Sequence, residues 1–226
     1  MHINIYKNFY VEFIKSCELD INIFIKLFFD GYDIGIKKIE SKVKKLKQSY
    51  ENDPEIDIDD MVSGDYEEIT VTPKYFLNIC CVILYSDLEK KLKGILENIF
   101  EIDLKKNEYY KFFNMQKVFI SKNVDLTKLN DYDYINELRE LNNCIKHDGY
   151  VSDTLEKLSK NKYRIGQEID ISKEIIVSYS KNINNFLNDL YKEVKTFIIT
   201  EQTAHNRSVY ASPPYGGSGY IKTQSG

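Results

Sequence analysis

The sequence predicts an all-α protein, a bundle of about five or six helices with minor extended segments and a disordered C-terminal tail. Three observations lead there. Apolar residues recur at three- and four-residue steps over long stretches, strand-like alternation is nearly absent, and the last residues change abruptly to Gly, Ser, Pro and Tyr. The chain has 226 residues, 42% hydrophobic and 29% charged. That balance excludes wholesale disorder and a membrane bundle, and its size suits one domain with appendages.

From the N-terminus, Ile5–Phe29 and Ile36–Tyr50 read as two helices parted by the breakers Gly31 and Gly35. Together, residues 1–50 form an N-terminal helical segment, and residues 51–71 an acidic loop. Lys37 to Lys47 holds six lysines against Glu40, whereas Glu51 to Glu68 holds nine acids and no base. This is the pattern of a solvated helix face followed by a charged loop, with electrostatic docking of a partner or RNA backbone as the functional alternative.

The main bundle spans 72–200. Its first long helix carries the stripe Leu77, Cys81, Leu84, Leu88, Leu92, Ile95 and Ile99, with Thr72 as N-cap and Pro73 in the first turn. Tyr109–Lys122 reads as a shorter helix. Asp131–His147 carries Ile135, Leu138, Leu141 and Ile145, and Asp148-Gly149 closes it. The last stripe, Ile176 through Tyr179, Ile183, Phe186, Leu187, Leu190, Val194, Phe197 and Ile198, opens at Ser172. Only Glu68–Val71 and Tyr163–Ile171 resemble extended pieces. Residues 201–226 read as a flexible tail in which Tyr210, Tyr215 and Tyr220 recur and offer rings to a partner or a second copy.

Several function classes lack their marks. The basic residues are all lysine except Arg139, Arg164 and Arg207, which argues against duplex-DNA readout. His2, His147 and His205 lie far apart, and Cys17, Cys80, Cys81 and Cys144 show no C-x-x-C spacing, so no metal site or cofactor is expected and the thiols read as free and buried. The acids at Asp53, Glu55, Asp57, Asp59 and Asp60 do not form a calcium-loop pattern. No phosphate-binding glycine loop or nucleophile elbow occurs. No stretch is long and apolar enough to span a bilayer, and no export signal opens the chain, so the expected setting is cytoplasmic, away from the membrane.

Functional residue types concentrate in Glu137-Leu-Arg-Glu-Leu-Asn-Asn-Cys-Ile-Lys-His147-Asp-Gly149. On a helix, Arg139, Asn143 and His147 step by four and share one face, so a guanidinium, an amide and an imidazole can meet a phosphate and exchange a proton. The structural alternative is a histidine serving the helix C-terminus and an arginine at the surface.

The segment ELRELNNCIKHDGYVS resembles the signature helix of HEPN-type proteins, small helical bundles of toxin–antitoxin and antiphage defence systems. KYRIGQEIDISKEIIVSYSKNINNFLNDLY is similar to the connector and final helix that follow it, and the resemblance extends over Thr72–Ile199. It implies a metal-independent endoribonuclease working as a homodimer or larger homo-oligomer, with an R-x4–6-H motif juxtaposed between protomers. Matched residue by residue, His147 takes the histidine position and Asn143 the polar one. Asn142 stands where that spacing calls for arginine, so the motif is degenerate and Arg139 is one turn too early. The implied chemistry is attack of an RNA 2′-OH on the adjacent phosphate. His147 moves the proton, Asn142 and Asn143 orient the substrate, Lys146 or Arg139 supplies charge, and Asp148 sets the imidazole tautomer. The competing expectation is a catalytically silent scaffold that oligomerises through the bundle and docks a protein partner with its tail.

Overall fold

The computed structural model describes residues 2–16, 21–50, 58–105, 111–160 and 162–210. Seven α-helices occupy them: α1 (His2–Ser16), α2 (Ile21–Ser49), α3 (Ile58–Asn98), α4 (Phe112–Ser121), α5 (Tyr132–His147), α6 (Asp153–Leu158) and α7 (Lys173–Tyr210), with a short 3-10 turn at Leu126–Lys128. Among the described residues there is no strand, and none of these helices is long and apolar enough to cross a membrane.

The core forms where the apolar periodicity says it should. Every residue of the stripe Leu77, Cys81, Leu84, Leu88, Leu92 and Ile95 on α3 is buried, as is Ile99 just past its end. The stripe from Ile176 to Ile198 is buried on α7, save for the partly covered Phe197. On α5, Ile135, Leu138 and Leu141 lose all solvent contact while Ile145 stays partly covered. Helices α3, α5 and α7 pack against one another, and α1 closes the bundle over α7 and α3. Burial of these side chains, worth about 1.5–3 kcal/mol each, is what opposes the entropy of ordering the chain.

Several helix ends fall elsewhere than the local signals suggest. Gly31 and Gly35 do not break the N-terminal segment, because α2 runs through both. A glycine costs a helix only about 1 kcal/mol, and the flanking residues pack on α3, where Phe28 stacks on Phe76 with centroids 3.7 Å apart. Pro73 is likewise internal: α3 begins at Ile58, so 58–71 is helical where an acidic loop, and the extended piece Glu68–Val71, were expected. Residues 51–57, the rest of that loop, lie outside the described residues. Pairing with the neighbouring α2 offsets the one hydrogen bond that the proline ring removes.

At the C-terminus, α7 continues through 201–210, ten residues into the expected tail. Tyr210 therefore belongs to α7, and Tyr215 and Tyr220 lie outside the described residues. The other expected extended piece, Tyr163–Ile171, forms no strand but makes one isolated antiparallel bridge, Tyr150 with Glu168.

That bridge belongs to a turn-rich segment that folds back over the end of α5. Gly149, at φ 78°, adopts the left-handed conformation that a helix stop requires. Its N–H donates to the Cys144 carbonyl at 2.9 Å, and Ile169 N–H donates to the Gly149 carbonyl at 2.8 Å. Ser152 caps α6 by accepting from Leu155 N–H at 3.1 Å. The Val151 N–H to Gln167 carbonyl bond, 2.9 Å, completes a clasp that carries Glu168 to the last turn of α5.

Candidate functional site: a cleft at the end of α5

A cleft of about 450 Å³ opens between α3, the C-terminal turn of α5 and the clasp. Lys74, Tyr75, Asn78 and Ile79 reach it from successive turns of α3, His147 and Asp148 from the end of α5, and Glu168 from the clasp. Spacing explains the α3 contribution. Lys74 and Asn78, like Tyr75 and Ile79, are four apart and lie beside the core stripe, so the helix buries Leu77 and Cys81 while turning these neighbours outward.

One ammonium and two carboxylates, Lys74 with Asp148 and Glu168, face the opening. Lys74 Nζ lies 2.6 Å from Glu168 Oε1, and this pair links α3 to the clasp. His147 is exposed, and among the described residues its ring makes no hydrogen bond or ion pair that would occupy it. An imidazole, an ammonium and two carboxylates thus line one cavity whose walls include Val82, Ile145 and Ile169. Such a set can hold an anion and exchange protons with it.

The other residues singled out by sequence are dispersed. Arg139 is not in the cleft. Its Nε donates to Asn136 Oδ1 at 3.1 Å, one Nη lies 3.5 Å from Glu140 Oε2, and its guanidinium carbon sits 5.8 Å from the centre of the Phe112 ring. Asn143 Nδ2 donates to the same Glu140 carboxylate at 3.5 Å, and Ser152 Oγ donates to it at 3.0 Å. Glu140 therefore gathers Arg139 and Asn143 into a brace between α5 and the start of α6. Asn142 faces inward, 2% exposed, and its Oδ1 has no partner among the described residues; it does not line the cleft. Lys146 is exposed outside the cleft. Asp148 does line it, but its carboxylate accepts from Tyr150 N–H, at 3.0 Å, rather than from the His147 ring.

Sequence reasoning missed Lys74, Tyr75, Asn78 and Glu168. A signal for Tyr75 was present: Val71, Tyr75, Ile79 and Ile83 form a second four-residue stripe on α3, and all four are exposed. Nothing local marks Glu168.

A second polar cluster lies inside the bundle. Glu137 Oε1 accepts from Tyr179 Oη at 2.5 Å and from Lys162 Nζ at 3.1 Å. Burial, with Glu137 and Tyr163 nearby, raises the Tyr179 phenol far above its usual range. Cys80, Cys81 and Cys144 are free and buried. Burial pushes the Cys80 thiol up to about 11 and Cys81 higher still, which removes both as nucleophiles near neutral pH. Cys17 lies outside the described residues. Among the described residues, no three His, Cys, Asp or Glu side chains cluster as a metal site would need. No family model, curated protein or solved structure matches the chain.

Proposed function

We propose that this chain is an RNA-directed protein of HEPN-like type and that the cleft at His147 cleaves RNA without a metal, in antiphage defence or a toxin–antitoxin setting. One observation carries the reading: an unengaged His147 shares a cavity with Lys74 and Glu168. Lys74 takes the part that the degenerate motif leaves open at Asn142.

In the proposed reaction the 2′-OH of a bound nucleotide attacks the adjacent phosphorus while Glu168 removes its proton. The bond from phosphorus to O5′ breaks, and protonated His147 delivers a proton to that oxygen. The products are a 2′,3′-cyclic phosphate and a 5′-hydroxyl. Lys74, drawn from Glu168 to the phosphate, meets the charge that develops on the non-bridging oxygens. Contributions of about 10²–10⁴ in rate are typical of a positioned acid or base, and about 10²–10³ of one charge-stabilising contact.

The test is cleavage of a mixed RNA pool in excess EDTA. Wild type should release fragments ending in 2′,3′-cyclic phosphate, His147→Ala should lower the rate at least about 100-fold, and Lys74→Ala by about the same. Equal product from wild type and His147→Ala sinks the reading.

A second reading rests on exposed apolar surface. Tyr6, Phe9 and Phe13 of α1 are each more than half exposed, as are Ile23, Phe24 and Leu27 of α2. A face of this kind suits a homodimer or a scaffold that holds a protein partner. Mass measurement by light scattering separates the two readings: assembly without RNA cleavage favours the scaffold.

A further inference from the structure

Among the described residues, Asn78 Oδ1 is buried without a hydrogen-bond partner, although its residue lines the cleft. Buried carbonyl oxygens are rarely left without a donor, because their desolvation is then uncompensated. One turn away, Tyr75 lines the cleft and is 63% exposed, so its ring is free to meet a ligand. Ile79, Val82 and Ile169 add aliphatic lining. A stacking ring, aliphatic sides and an amide with unspent hydrogen-bonding capacity are what a planar, polar-edged heterocycle requires. The cleft volume lies within the range of small-ligand sites.

We propose that the cleft contains a nucleobase slot, in which Tyr75 stacks on one base and the Asn78 amide reads its edge. Adenine is the favoured occupant, since it offers a donor and an acceptor side by side to an asparagine amide. The ribose and phosphate of that nucleotide then fall toward Lys74 and His147. The slot builds on the RNA-directed reading and gives it a substrate preference.

The experiment uses the full chain carrying His147→Ala, titrated with AMP, UMP and ribose 5-phosphate while the side-chain amide signal of Asn78 is followed by NMR. AMP should move that signal and bind tightest, UMP should bind more weakly, and ribose 5-phosphate should leave the amide unmoved. Asn78→Ala should weaken AMP about 10-fold without changing ribose 5-phosphate. Tyr75→Ala, at an exposed position, should weaken AMP similarly and checks that lost binding is not lost folding. The slot is overturned if ribose 5-phosphate binds as tightly as AMP, or if both variants bind AMP like their parent. RNA cleavage by wild type without AMP binding would remove the slot alone. AMP binding at Asn78 with no cleavage of RNA would remove the ribonuclease reading alone.

Discussion

A single missing methyl group sets how closely α1 approaches α3. A Cβ placed on Gly94 would overlap the hydroxyl of Tyr10, whereas the ring carbon beneath that hydroxyl stands at 3.4 Å, a distance that a small shift accommodates. Gly94→Ala should therefore destabilise the protein by about 1–3 kcal/mol in urea unfolding, through overpacking rather than backbone strain. In a Tyr10→Phe background the same substitution should cost much less, since the offending oxygen is gone. Equal costs in the two backgrounds would refute this account. The same scale explains why Arg139 and Asn143 fail to join His147. Glu140 holds both, and that local attraction outweighs any pull toward a cleft further along the helix.

At the level of elements, α3 shows how packing overrides a local signal. Thr72-Pro73 has the composition of a helix start, and the structure runs the helix through it from Ile58. The two readings make opposite predictions for Pro73→Ala. If Pro73 is internal, alanine restores a backbone donor and slows amide exchange over 58–72, by an amount corresponding to about 1–3 kcal/mol of local stability. At a helix start the substitution would leave exchange there unchanged or faster. The clasp from Gly149 to Ile169 is the other decisive element. It contains no strand, yet three of its backbone bonds, each 2.8–2.9 Å, bring Glu168 to α5.

For the molecule as a whole, buried acidic hydrogens make stability depend on alkaline pH. Burial raises Cys80 to about 11 and raises Cys81, Tyr85, Tyr163 and Tyr179 beyond that, from ordinary values of 9.0 and 10.0. A folded-state value above the unfolded one means that the unfolded chain loses its proton first as pH rises. The stabilisation is fully present below about pH 9 and declines from there upward. Urea midpoints should stay level from pH 7 to 8.5 and fall steeply by pH 10.5, and a flat profile would contradict the burial of these groups.

The sequence by itself determined the helical class and most of the core. The stripe from Leu77 to Ile99 and that from Ile176 to Ile198 are periodic over many turns, and a 3.6-residue repeat is written in neighbouring residues. It also located His147 at the end of a helix, closed by Gly149. Tertiary structure decided the rest. Gly31, Gly35 and Pro73 carry breaker signals worth about 1–3 kcal/mol each, which contacts between α2 and α3 outweigh. The partners of His147 come from α3 and the clasp, segments far from it along the chain. No local pattern pairs Lys74 with Glu168, because their 2.6 Å contact exists only after the chain has folded back across α5.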